Sequence, residues 1–157
     1  MTSEEFDKLI DKNKYQVFVF TCRAVLPFFF ARHPWFVINK KGMISRWDVN
    51  FRKNRCKTAW NHLHKNLLPP TQGIAVIPYL DKIFWKSKLL DYKEGQENSV
   101  ISKAVNFIEN SNNSYPYCNE YRLLGPNSNT YAQWVLNKFP ELNIKLPWNS
   151  IGKNYIK

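Results

Sequence analysis

Two runs of aromatic and β-branched residues, His33 to Ile38 and Met43 to Val49, flank the tetrapeptide Asn39-Lys40-Lys41-Gly42. Strand formers on either side of a short turn bearing Asn and Gly predict a β-hairpin, and an isolated hairpin is not stable alone. The rest of the chain must therefore add strands or helices to its faces. Tyr15 to Thr21 has the same strand-like composition. The apolar stretch Val17 to Ala31 is interrupted by Arg23 and Pro27, is too short to span a bilayer, and is expected to be core strand, with Phe28-Phe29-Phe30 also in the core.

Further along, Ile74 to Ile77, Lys82 to Lys86 and Lys88 to Tyr92 have the character of short strands, with a helix over Tyr79 to Leu90 as the alternative period. Between them, Asn50 to Gly73 is basic and broken by Pro69-Pro70, and is expected to be mostly loop.

Helical periodicity is confined to three places. Phe6, Leu9 and Ile10 share a face over residues 3–13, and Thr2 with Glu5 has the spacing of a capping box. This predicts an N-terminal helix within residues 1–14, packed on or appended to the body. Val100, Ile101, Ala104, Val105, Phe107 and Ile108 recur at helical spacing and predict a core-facing helix over Glu97 to Asn110. A last helix has N-cap residues available in Asn127-Ser128-Asn129-Thr130, an apolar face of Tyr131, Trp134, Val135 and Phe139, and a stop at Pro140. The expected fold class is α+β: one domain over residues 1–157, with an antiparallel sheet flanked by helices.

A chain of 157 residues is the size of one ordinary domain, and its 44% hydrophobic content can furnish a core. A net charge of +11 favours an anionic partner, whether nucleic acid, phospholipid or polymer, without choosing among them. Three cysteines, Cys22, Cys56 and Cys118, lack CxxC spacing and argue against a disulfide framework or a zinc site. With no signal-like N-terminus or membrane span, the expected location is cytoplasmic. No cofactor is expected. His62-Leu63-His64 places two imidazoles on one side of an extended segment, without the further ligands a metal needs.

The run Tyr121-Arg122-Leu123-Leu124-Gly125-Pro126-Asn127-Ser128-Asn129-Thr130-Tyr131 precedes Trp134-Val135-Leu136, Pro140-Glu141-Leu142, Leu146-Pro147 and Ile151-Gly152-Lys153. This arrangement resembles a bacterial domain-of-unknown-function family, DUF3750, with its Gly-Pro-Asn-Ser-Asn-Thr-aromatic signature. Tyr115-Pro116-Tyr117, the His33 and Trp35 pair and Arg46-Trp47-Asp48 extend the similarity upstream. A more distant resemblance, of Asn127 to Tyr131, is to the helix start of permuted papain-like peptidases of the NlpC and lecithin-retinol-acyltransferase type. Those enzymes carry Cys where this chain has Ser128, and their strand histidine precedes the helix as His33 does. The resemblance implies a papain-like cleft with Ser128 as nucleophile and His33 as base, and Asn127, Asn129, Thr130, Trp35 and Trp47 as residues that contact a ligand.

The chemistry is coherent with those positions. The start of a helix stabilises a developing oxyanion. A serine hydroxyl needs an imidazole to take its proton and a third group to orient that ring. Across the predicted hairpin, the residues opposite His33 fall near Asp48 and Val49, so Asp48 or Asn50 is the expected orienter. Pro34, directly after His33, predicts an edge or bulged strand there. Ser128 is equally suited to capping its helix, and His33 to a structural hydrogen bond.

Three functions follow as expectations. The first is a hydrolase or acyl transferase acting on an amide or ester. The second is a catalytically silent module holding an acidic peptide, lipid headgroup or glycan in the same cleft. The third is nucleic-acid binding through Arg52 to Lys57, with Phe51 and Trp60 as stacking residues.

Overall fold

The computed structural model describes residues 1–25, 27–74 and 85–155. Six strands form one antiparallel sheet: β1 (Tyr15–Arg23), β2 (Arg32–Lys40), β3 (Met43–Val49), β4 (Ala59–Trp60), β5 (Leu63–Lys65) and β6 (Lys88–Gly95), in the order β4-β5-β3-β2-β1-β6. Among the described residues three α-helices accompany it, α1 (Ser3–Asp7), α2 (Val100–Glu109) and α3 (Ser128–Lys138). The fold is α+β.

The predicted hairpin is β2–β3. Lys40 pairs with Met43 around Lys41 and Gly42, both at positive φ, as a two-residue turn with the twist of a right-handed ladder requires. Asn39 fixes the turn from below, its Oδ1 accepting from Gly42 N at 2.7 Å and its Nδ2 donating to Gln16 Oε1 and Asp11 O.

Alternation along the strands divides the core into two layers. One face carries Val17, Val19, Phe36, Ile38, Trp47 and Val49 against Ala104, Val105 and Ile108 of α2 and Tyr131, Ala132 and Val135 of α3. The opposite face carries Phe18, Phe20, Cys22, Trp35 and Val37 against Phe6 of α1 and Trp85. A sheet covered on both sides explains why β1 and β2 are buried along nearly their whole length, with apolar residues on both faces at their centres.

The helices follow their caps. Thr2 and Glu5 complete the capping box of α1, which ends at Asp7, before the expected residue 13, because the chain turns at Asp11 to enter β1. Ser99 caps α2 through its hydroxyl, which accepts from Ser102 N at 3.1 Å. Asn127 caps α3, and Pro140 opens a 3-10 turn directly after it.

Two expectations about the apolar segments are corrected. β1 ends at Arg23, so Val17 to Ala31 is not one strand. Phe29 and Phe30 are exposed, because the chain turns back from β1 into β2 there and carries them on the connecting loop. The segment from Asn50 to Gly73 is loop for most of its length but includes the small β4–β5 hairpin, added to the sheet beside β3. Of the helical alternative over Tyr79 to Leu90, residues 79–84 lie outside the described residues, and Lys88 onward is strand paired with β1. Most of the expected strands Ile74 to Ile77 and Lys82 to Lys86 lies outside the described residues. Among the described residues no helix is long and apolar enough to cross a membrane.

Candidate active site

Pro34 sits in regular register opposite Thr21, without a bulge, but the β2–β3 ladder stops at Phe36 and Trp47. On its β3 side the strand is therefore an edge at Pro34, which is where a residue lacking an N–H is tolerated. The strands splay beyond that point. The opening between Arg32 and His33 of β2, Asn50 and Phe51 after β3, and the start of α3 is a cleft of about 100 Å³.

Ser128 enters this cleft at the first helical position of α3. The helix is capped by Asn127, whose Oδ1 accepts from Asn129 N at 2.9 Å and Thr130 N at 3.3 Å, while Thr130 Oγ1 accepts from Asn127 N at 3.1 Å. Ser128 is thus relieved of the capping duty its residue type suggested. Neither its hydroxyl nor its N–H has a hydrogen-bond partner among the described residues. Asn127 is itself tied down by donating to Leu123 O at 2.9 Å and Ile151 O at 3.1 Å, and Thr130 donates to Gly152 O at 2.8 Å. Asn129 donates to Arg32 O and Ile151 O, each at 2.9 Å, joining the helix start to the end of β2. Its Oδ1 is buried and unpartnered on the cleft wall. The family-like motif therefore builds a rigid helix start out of Asn127, Asn129 and Thr130 and leaves Ser128 unused.

His33 reaches the same cleft from β2. Its Nε2 is buried without a hydrogen bond and lies 3.9 Å from Asp48 Oδ2. Strand alternation places His33, Trp35, Arg46, Asp48 and His64 on the face opposite α2 and α3, so His33 and Ser128 line the cleft at the sheet's end from opposite sides. Extending the hairpin register puts Asn50, not Asp48 or Val49, opposite His33; Asp48 reaches the ring along the diagonal of the same face.

Asp48 is fully buried and has a stronger partner than His33. Arg46 donates to Asp48 Oδ2 from Nη2 at 2.8 Å and from Nε at 3.1 Å. The same guanidinium donates to Pro69 O at 2.9 Å and to Gln72 O, and lies 4.2 Å from the centroid of the Trp35 ring. Burial alone would raise the Asp48 carboxyl; Arg46, with His33 behind it, more than reverses this and holds it far below the usual carboxylate range. The carboxylate is ionised at neutral pH. Arg46 is the functional neighbour that residue types alone missed, although its i, i+2 spacing from Asp48 signals a shared strand face.

The remaining expected residues fall outside the cleft. Trp35 is buried, stacks on Phe20 and donates to Pro70 O at 2.9 Å. Trp47 is on the helix-covered face, stacked on Trp60 and donating to Ser45 Oγ. Both are buried core residues, and neither lines the cleft. Trp60 is thereby a half-buried packing residue, and Phe51 lies against Tyr121 at the cleft.

His62 and His64 are engaged separately. His62 Nδ1 bonds Asn50 O at 2.8 Å, and His64 Nδ1 bonds His62 O at 2.8 Å while its Nε2 accepts from Arg55 N at 3.3 Å. Burial lowers the His64 pKa and keeps that ring neutral. Among the described residues no cluster of three His, Cys, Asp or Glu is arranged to hold a metal. The three cysteines are free; Cys22, paired across from His33 in β1, has its thiol pushed up to about 11 by burial, which makes it a poor nucleophile.

No curated protein and no solved structure matches the chain. The model of DUF3750, described as a protein of unknown function, matches residues 14–155, which takes in the whole sheet, both long helices and every residue of the cleft. The chain belongs to the DUF3750 family.

Proposed function

We propose that the protein is a hydrolase or acyl transferase that acts on an amide or ester through a covalent Ser128 intermediate, in a permuted papain-like arrangement. The observation that carries this reading is the unused Ser128: a hydroxyl and an N–H free of partners among the described residues, at the start of an eleven-residue helix, on one cleft with an imidazole. In this reading His33 turns Nε2 toward Asp48 and acts on the cleft through Nδ1. It takes the Ser128 proton as the hydroxyl attacks the carbonyl, and returns it to the leaving group. Asp48, ionised and immobilised by Arg46, favours the imidazolium formed in that step. The Ser128 N–H and the positive end of α3 stabilise the oxyanion.

The test is labelling of the purified protein with a fluorophosphonate probe. Labelling abolished in both Ser128→Ala and His33→Ala supports the assignment. Folded protein that is not labelled, or labelling that survives in Ser128→Ala, overturns it.

A second reading is favoured by one distance. Asp48 makes its hydrogen bonds to Arg46, while His33 stands 3.9 Å away, so the carboxylate is spent largely on a structural pair. A silent module that binds its ligand in the cleft keeps this geometry without turnover.

A further inference from the structure

The exposed large apolar side chains are not scattered. Phe29 (50% exposed) and Phe30 (57%) lie on the loop whose Phe28 lines the cleft. Phe51 (71%), Val25 and Leu123 line the cleft itself. Leu124 (73%) and Trp148 (90%) border a shallow depression that shares Ile151 with it. Asn149 donates to Phe30 O at 2.6 Å, which ties the Trp148 turn to the phenylalanine loop. Among the described residues, only Met43, at the distant hairpin turn, is a large exposed hydrophobic side chain elsewhere. Single exposed apolar residues are ordinary, but a continuous apolar rim around one cleft marks an interaction surface.

Charge follows the same axis. The segments that form this rim, residues 23–32, 50–57, 121–124 and 148–153, contain no Asp or Glu. Arg23, Arg52, Lys53, Arg55, Lys57 and Arg122 are exposed on them, and of these only Arg122 has an ion-pair partner among the described residues, in Glu120. At the opposite end, by the β2–β3 turn, basic and acidic residues are mixed: Lys14 pairs with Glu94, Lys40 with Glu109 and Lys41 with Glu97. The apolar rim is therefore bordered by exposed basic residues with no acid in the same segments, and their field turns the cleft toward an anionic surface.

We propose that the rim of the cleft docks on an anionic phospholipid bilayer, and that the amide or ester brought to Ser128 is carried by a lipid in that surface. The substrate part rests on the Ser128–His33 reading; the docking does not. Aromatic side chains seated among headgroups with basic residues around them are the combination that holds a protein at a bilayer interface. The small enclosed volume, about 100 Å³, accommodates the reacting group and leaves the rest of the molecule over the rim.

The experiment is binding of the intact chain to phosphatidylcholine vesicles with and without phosphatidylglycerol, followed by sedimentation and by tryptophan emission. Trp148 is the exposed indole, whereas Trp35, Trp47, Trp85 and Trp134 are buried. The expected result is partitioning at least about tenfold stronger onto phosphatidylglycerol vesicles, weakened by salt, with a blue shift lost in Trp148→Phe. Phe30→Ser with Trp148→Ser, and separately Arg52→Glu with Lys53→Glu, lower partitioning by about tenfold without changing the circular dichroism of these surface variants. Equal binding to neutral and anionic vesicles, no binding, or binding indifferent to the rim variants overturns the proposal. A preference for oligonucleotide over anionic vesicles at the same charge concentration also overturns it. Ser128→Ala binds vesicles like the unaltered chain, so failure of probe labelling and failure of docking are read independently.

Discussion

Arg46 and His33 address the same oxygen of Asp48 on unequal terms, Arg46 through two hydrogen bonds at 2.8 and 3.1 Å and His33 from 3.9 Å. Both members of the ion pair are fully buried. Removing one member of a buried pair strands the other charge in the interior, which costs roughly 3–5 kcal/mol, whereas removing both leaves no unpaired charge. Asp48→Ala and Arg46→Met are therefore each expected to destabilise by that order. The double variant is expected to be much less unstable than the sum. Urea denaturation of the three proteins measures the coupling, and additive losses would show that the pair is not a unit.

Acid is expected to unfold the protein in two stages. His64 has a folded pKa below its ordinary value, because burial disfavours its charged form. The unfolded chain then binds the proton more readily, so stability begins to fall as pH drops through the ordinary histidine range, about 6.5. Asp48 is also depressed, burial opposing and Arg46 prevailing, so its contribution is intact above the ordinary aspartate range, about 3.9, and is lost as pH falls below it toward the folded value. Denaturant midpoints measured from neutral pH downward are expected to decline in two steps. His64→Gln should lack the first and Asp48→Asn the second.

Much of this was legible in the sequence, for identifiable reasons. The β2–β3 hairpin declared itself through its turn residues, and α2 and α3 through apolar spacing and caps, because these signals are local. His33 and Ser128 were placed together by motif order, and Asp48 or Asn50 by the expected hairpin register; the chain's fold brings His33, Ser128 and Asn50 to one cleft. Strand face was harder. A one-residue error of register hides whether two residues share a side, and it concealed that Asn50 stands across from His33 and that Trp47 faces away from the cleft. The Arg46 grip on Asp48 joins β3 to the loop at Pro69 and Gln72, a tertiary relationship with no local signature. Phe28-Phe29-Phe30 misled for the opposite reason: composition reports what can be buried, and exposure on the rim depends on what surrounds it.

Gly152 is the residue on which the helix start depends most directly. Its φ of +92° favours glycine, and a Cβ there would stand 2.5 Å from Asn127 Nδ2 and 2.8 Å from Oδ1. Gly152→Ala therefore adds backbone strain to displacement of the N-cap, with an expected cost of about 2–3 kcal/mol. In an Asn127→Ala background the clash is absent and only the strain remains, so the same substitution is expected to cost roughly 1 kcal/mol. A double-mutant cycle by thermal or urea denaturation checks this. Equal costs in the two backgrounds would mean that Asn127 does not hold the helix through this contact.

Ser128→Ala separates chemistry from architecture. If Ser128 were the cap of α3, its loss would cost about 1 kcal/mol, as caps generally do. Asn127 and Thr130 perform that function instead, and the Ser128 hydroxyl makes no hydrogen bond among the described residues. Its removal leaves no stranded partner, so stability is expected to stay within about 0.5 kcal/mol of the unaltered protein. Thr130→Ala removes hydrogen bonds to Gly152 O and Asn127 N, and is expected to cost about 1–2 kcal/mol. The comparison needs only denaturation curves for the two variants. A loss in Ser128→Ala as large as in Thr130→Ala would return the serine to a structural role, whereas a stable Ser128→Ala protein leaves the hydroxyl free for a ligand or substrate in the cleft that His33 also lines.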